Sequence, residues 1–183
     1  TLGGAINLVT PAGHSARGHE TRFEAGSEEV FRLHGRTGQV SRSGDLFASI
    51  TGLHSGGFRQ HSRQESLKLN SSLGLRHGGR GETRLYLSGN ILEKKLPGTL
   101  PRDIALQTPD AASPGAVEDD QARDIRSFRL AGKTAWNLGN RQTMEAGAFL
   151  NLKDLSHPVS RFFGFIDQEN TDYGVFATLT KEW

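Results

Sequence analysis

The chain has 183 residues, with 22 Lys+Arg against 20 Asp+Glu and a net charge of +2, which argues against a dedicated nucleic-acid binder and its clustered positive excess. Zero cysteines exclude a disulfide scaffold, a Cys-ligated zinc site and a thiol nucleophile. No apolar run reaches the ~18 residues of a membrane helix; a transmembrane β-barrel, which needs apolar residues only at alternate positions, stays compatible with 34% hydrophobic residues and 23 Gly.

The chain opens at Thr1 in a strand-like stretch, Leu2 to Thr10, without a signal peptide, and its one Met is Met144. It therefore reads as a piece of a longer protein. Segments near 19–26, 30–41 and 45–57 predict strands of weak alternation, joined at Gly26–Glu29 and by a tight turn at Ser43-Gly44-Asp45. After a connection at Gly57–Arg63, Leu67–Leu75 places Leu67, Leu69, Leu73 and Leu75 on one side and Lys68, Asn70 and Ser72 on the other. The turn His77-Gly78-Gly79-Arg80-Gly81 lacks the Lys-Ser/Thr of a phosphate loop and leads into alternation over Thr83–Ile91.

Lys95–Ala122 is the longest connection. Thr99 or Pro101 can open a short helix through Ile104-Ala105-Leu106, stopped by Pro109, and Asp110 to Gly115 has the composition of a flexible loop. Alternation then returns over Phe128–Leu138, Gln142–Leu152 and Tyr173–Leu179, with a tight turn at Gly139-Asn140 and a longer connection expected at Leu155–Gln168. About eight strands result.

No Asp, Glu, Lys or Arg stands on the apolar side of the five clear strands, although 23% of the chain is charged. A lipid-facing Lys or Arg costs roughly 2–4 kcal/mol at the bilayer midplane, which would enforce such a gap, but a sandwich core or a half-buried sheet would too. Two further features favour lipid. Short turns alternate with longer connections, as in an outer-membrane barrel, the short Gly26–Glu29 excepted. The separations Phe128–Trp136 and Tyr173–Trp183, at ~3.3 Å per residue and a tilt near 40°, project to roughly 20–25 Å, the height of an apolar band between aromatic girdles. The expected fold is all-β, part of an antiparallel transmembrane β-barrel. A soluble β-sandwich binding module is the competing architecture.

Gly3-Gly4-Ala5-Ile6-Asn7-Leu8-Val9-Thr10-Pro11 resembles the last plug strand of TonB-dependent outer-membrane receptors, with its Gly-Gly-x-Ile-Asn-x-x-Thr pattern. Glu24-Ala25-Gly26-Ser27, Gly57 to Arg63 and Glu82 to Leu87 are similar to the start of that family's barrel. Leu96-Pro97-Gly98-Thr99-Leu100 resembles an extracellular loop of the ferric-siderophore and ferric-dicitrate receptors. His157-Pro158 and Asp167-Gln168 stand where those receptors carry similar residues. The resemblance implies that residues 1–16 end the plug, with Gly3, Gly4 and Asn7 as its motif, and that 17–183 begin a plugged barrel of about 22 strands. It further implies the outer membrane of a Gram-negative bacterium, contact with outer-membrane lipid, and TonB-coupled uptake of a ferric siderophore or ferric citrate. The segment that recruits the TonB energy-coupling complex is missing here. A small eight-stranded barrel acting as an adhesin or structural protein is the alternative.

Under this resemblance Arg32, Arg36, Lys68, Arg76, Arg84, Arg129 and Lys133 would face the lumen, offset by little besides Glu145, and would attract an anionic chelate. Phe58, Arg59, His61 and Arg63 would meet ligand in one outward loop, and Leu96 to Arg102 in another. The ligand-binding candidates are thus Arg32, Arg36, Phe58, Arg59, His61, Arg63, Arg84 and Arg129. The scattered His residues have no metal-site spacing, and no nucleophile motif is present, so neither a metal, a cofactor nor an enzyme activity is expected.

Overall fold

The structure, a computed structural model, describes residues 10–162 and 164–182. The plug motif Gly3, Gly4 and Asn7, and Trp183, lie outside them. The predicted strands form at β1 (Gly18–Gly26), β2 (Val30–Val40), β3 (Gly44–Ser55), β4 (Gln64–Arg76), β5 (Gly81–Lys94), β6 (Asp124–Gly139), β7 (Gln142–Ser160) and β8 (Gly164–Lys181). They make one 8-stranded antiparallel sheet in sequence order. β1 and β8 are its edges, so the eight strands form an open sheet and do not themselves close into a barrel.

Cross-strand register decides what the alternation means. Residues directly opposite in a ladder share a face. Ile50, Leu69, Gly89, Phe128 and Leu152 are opposite in turn, and so are Leu46, Leu73, Leu85, Gly132, Ala148 and Val175. The apolar sides of all the strands therefore join into one continuous face. Its charge-free band ends at the row of Arg126, Asp154 and Glu169 and, on the other side, at Lys181. No second layer covers it: Leu33 is 55% exposed, Ile50 50%, Leu130 43% and Val175 85%. Among the described residues the buried hydrophobic side chains are Phe47, Ala112, Ala116 and Ala122, so the second sheet of a sandwich is not there.

The tight turns cluster at one end of the sheet. Asn140 and Arg141 join β6 to β7 with φ of 51° and 56°. Positive φ at both central residues is the type I′ geometry, which matches the strand twist of a hairpin. At the opposite end, β3–β4 and β5–β6 have the longer connections. The expected long connection Leu155–Gln168 does not exist. The ladder runs on through Ser156↔Asp167 and Pro158↔Phe165 to Ser160↔Gly164, making β7 and β8 strands of 19 and 18 residues. The short helix α1 (Arg102–Gln107) forms after Pro101 as predicted. Asp110–Gly115 is not a flexible loop, because Pro114 begins a second helix, α2 (Pro114–Glu118), that buries Ala116.

Candidate functional site

The polar face and the long connections above it hold the predicted ligand-binding residues. All the strand cations expected together do share this face: Arg32, Arg36, Lys68, Arg76, Arg84, Arg129 and Lys133. The acids were under-counted. Glu20, Glu24, Asp45, Glu82 and Asp172 stand there too, and the first four take up three of the candidates. Arg36 grips Glu20 with Nε at 2.8 Å and Nη2 at 2.6 Å, and Arg32 Nη1 reaches Glu24 at 3.0 Å. Lys133 pairs with Glu145 at 3.2 Å.

Arg84 is the most enclosed. Its Nη1 and Nη2 donate to the two carboxylate oxygens of Asp45 at 3.0 and 2.8 Å, and Nη1 also reaches Ser72 Oγ at 3.0 Å. Glu82 accepts from the other edge of the guanidinium. The pair spans three strands because Gly74 stands between Asp45 and Arg84 in the ladder; a Cβ there would lie 2.3 Å from Arg84 Nη2. Asp45 also accepts the Gly13 amide at 2.7 Å, so the segment preceding β1 crosses the polar face at this point. Gly13 itself sits so close that a Cβ would be 2.4 Å from the Gln39 carbonyl oxygen. Arg84 is thus a fixed wall element.

The residues of the long connections are equally well tied. Arg59 donates Nε to the Ala111 carbonyl and Nη1 to the Gly98 carbonyl, both at 2.9 Å, and Nη2 to Pro97 at 3.3 Å. One guanidinium thereby satisfies three carbonyls of the β5–β6 connection. His61 Nε2 lies 3.1 Å from the Gln121 carbonyl oxygen. Arg63 pairs with Glu65. Gly98, at φ +67°, presses on α2, where a Cβ would meet Ala116 Cβ at 2.9 Å. The β7–β8 hairpin closes the cluster: Arg161 Nε donates to Asp119 Oδ1 at 2.8 Å and Nη2 to Glu118 at 3.1 Å. That guanidinium, and the Arg161 amide beside it, hold the Asp119 carboxyl below its ordinary range. Together these contacts fold the outer connections into one cap.

Of the eight candidates, Phe58 and Arg129 are left with free ends. Phe58 is 60% exposed on the cap. Arg129 lies over the Phe149 ring at 5.8 Å, a cation–π contact, and among the described residues it has no carboxylate partner. The ladder puts it near two cations without carboxylate partners, Lys68 and Lys153, in a setting of amides and hydroxyls with one acid, Asp172, at the β8 end of its row. One cross-strand row reads Thr51, Lys68, Asn90, Ser127, Lys153 and Asn170, and the next reads Asn70, Ser88, Arg129, Asn151 and Asp172. At ~4.8 Å per strand the backbones at Lys68 and Lys153 are roughly 14 Å apart. The buried amide oxygens of Asn90, between them, and of Asn151, opposite Arg129, have no hydrogen-bond partner.

Lys153 and the asparagines escaped the sequence reading because Lys153 falls just past the apolar run ending at Leu152. Its position opposite Leu152 in the period-2 count was the available signal. Asp45 was hidden in a turn tripeptide, although it precedes the apolar Leu46 and so belongs to the polar side. Among the described residues no cluster of three or more His, Asp or Glu side chains is arranged to hold a metal ion.

No protein-family model and no curated protein matches this sequence.

Proposed function

We propose that the chain forms part of the wall of a TonB-dependent outer-membrane receptor, in a Gram-negative bacterium, that takes up an anionic ferric chelate such as a ferric siderophore or ferric citrate. The observation that carries this reading is the separation of faces: a continuous, uncovered, charge-free face on one side, and unpaired cations set among amides on the other. A wall facing lipid needs the first, because backbone groups are paired within the sheet and only apolar side chains meet hydrocarbon. An anion-guiding lumen needs the second.

In this reading the cap receives the chelate, with Phe58 exposed for apolar contact. Lys68, Arg129 and Lys153 then attract its carboxylates or other anionic donors from below. Arg32, Arg36 and Arg84 have a different part. Their charges are compensated by Glu24, Glu20 and Asp45, so they shape the wall and add little to its potential. Energy for transport comes from the TonB complex through the plug, outside the described residues.

The test is uptake of radiolabelled ferric citrate and a panel of ferric siderophores by cells carrying the complete gene. Arg129→Gln with Lys68→Gln is expected to lower uptake by about tenfold for an anionic chelate, with less effect on a neutral one. Equal uptake by the parent and the double variant for every anionic chelate would remove the lumen from the proposal. The eight consecutive strands also match the count of a small closed barrel acting as an adhesin. Heat-modifiable migration of this chain alone after refolding in detergent would favour that second reading.

A further inference from the structure

The three tight turns form a rim with one sign of charge. Residues 41–43, 76–81 and 138–142 contain Arg42, Arg76, Arg80 and Arg141 and no Asp or Glu. All four arginines are exposed, and among the described residues none of their side chains has a partner. Arg17, just before β1, and Lys181, at the end of β8, extend the same edge. Successive turns lie two ladder spacings apart, so an arginine recurs about every 10 Å along the rim. The acids nearest to it are engaged elsewhere. Glu20 is held by Arg36, Asp45 and Glu82 by Arg84, and Glu145 by Lys133. Glu182, whose amide donates to the Arg141 carbonyl at 3.0 Å, is the one acid there without a side-chain partner among the described residues. His77 is bonded to Thr83 Oγ1 at 2.7 Å. The connections of the cap, by contrast, mix both signs.

At Arg80 the rim meets the apolar face. An open hollow of about 770 Å³ lies there, bordered by Gly79 and Arg80 of one turn, Leu138 and Gly139 of the next, and by Trp136 and Met144. Trp136 and Met144 stand opposite each other on the apolar face, in the row Gly81, Trp136, Met144, Leu179. The indole lies over the bare backbone of Gly81, where a Cβ would come within 2.6 Å of Trp136 Cδ1. Its Nε1–H has no acceptor among the described residues. The hollow thus joins an apolar wall, an unused indole donor and an unpaired guanidinium.

We propose that this hollow binds an anionic phospholipid of the leaflet on the tight-turn side, with its phosphate at Arg80 and its acyl chains along Trp136, Leu138 and Met144. The inference rests on the reading of the apolar face as lipid-facing. A guanidinium offers phosphate oxygens two parallel N–H donors, and an indole at a membrane interface keeps its ring in the apolar layer and its N–H at the head groups. The surplus of arginines selects the net charge. A head group whose own ammonium cancels its phosphate gains little from Arg76 and Arg141 nearby, whereas a net anionic one is drawn by the whole rim.

The experiment uses the complete receptor, reconstituted in vesicles of equal phosphatidylglycerol and phosphatidylethanolamine with the same acyl chains, then examined by native mass spectrometry. A retained phosphatidylglycerol adduct is expected. Arg80→Gln, in an exposed turn, should reduce it about fivefold, the worth of one basic residue near an anionic surface. Arg80→Lys, which keeps the charge, should retain most of it. Arg126→Gln removes an unpaired cation from the opposite border of the apolar band and should leave the adduct unchanged. An unchanged adduct in Arg80→Gln, or an equal loss in Arg126→Gln, would overturn the hollow as the site. A phosphatidylethanolamine adduct at equal or higher abundance would overturn the selection by charge. Complete displacement by excess soluble glycerol phosphate would make this a free-phosphate site, and a dimer lost in Arg80→Gln would give it to a second copy; either overturns the lipid. Failure of the parent protein to float with vesicles at all would sink the lipid-facing reading itself, a result distinct from any of these.

Discussion

Asp45 and Arg84 link β3 to β5 across an intervening strand, and both depend on the missing side chain of Gly74. Their side chains are 1% and 10% exposed; removing Arg84 leaves the Asp45 carboxylate buried without a fixed cation, whereas removing Asp45 leaves Arg84 still paired with Glu82. Arg84→Met is expected to cost roughly 3–5 kcal/mol of stability in urea unfolding, and Asp45→Asn less, because Glu82 still compensates Arg84. The double variant should lose less than the two losses summed, since it strands no charge. Face was legible for these residues in the sequence, but pairing was not. Alternation assigns a side chain to one side of a strand, whereas its partner depends on register. Arg36 meets Glu20 because the first turn sets Glu20 opposite it, and Arg84 meets Asp45 because both flank Gly74. For the same reason Arg59, an exposed-looking loop arginine, could not be seen in advance to serve three carbonyls of another connection.

At the level of elements, the turn after β6 uses Asn140-Arg141, although Arg at φ 56° carries the Cβ cost of the left-handed region. Arg141→Gly gives the preferred Asn-Gly pair and is expected to stabilise the hairpin by about 0.5–1 kcal/mol, measurable as a raised thermal midpoint. The cap end responds to acid through Asp119. Its folded carboxyl titrates below the ordinary value of about 3.9, while Arg161 stays charged throughout. The clamp therefore contributes fully above that value and is lost as pH falls through the lower, folded one. Spin labels at Gly115 and Phe162 should keep a narrow distance at the ordinary carboxylate value and report a broadened one only once the pH falls through the lowered folded value, and Asp119→Asn should show the broad distribution at every pH. The outer halves of β7 and β8 were missed in the sequence for a physical reason. Beyond the apolar band both faces meet water, as with Asp154, Ser156 and Asp167, so the period-2 signal fades although the ladder continues.

For the molecule as a whole, the uncovered face is the property that demands an environment. Leu130→Arg puts a cation in the middle of the band, whereas Ala131→Arg, one residue on, puts it on the polar face. The first should cost about 2–4 kcal/mol of insertion and abolish flotation with vesicles, and the second should leave flotation intact. A soluble sheet would treat the two alike. Although the first three strands alternate only weakly, the tight turns named three neighbouring pairs and the all-β class was readable from the clear alternation of the other five. Closure was not, because it depends on how two distant edges meet.

The strict neighbour-to-neighbour order bears on how such a chain assembles. Each hairpin closes a short loop except at Gly56–Arg63, between β3 and β4, and at the much longer Lys95–Arg123, the interval between β5 and β6. Joining those strands costs roughly 2 kcal/mol more chain entropy than closing a three-residue turn. Two blocks, β1–β5 and β6–β8, should therefore zip independently and merge last, helped by the Lys95↔Ala122 bridge and the helices that shorten the interval. Pulse-labelled amide exchange should show protection at Leu69 and Leu150 before protection across the Leu87↔Leu130 ladder. The slowest step of folding would then be the seam beneath the cap, where binding is proposed to begin.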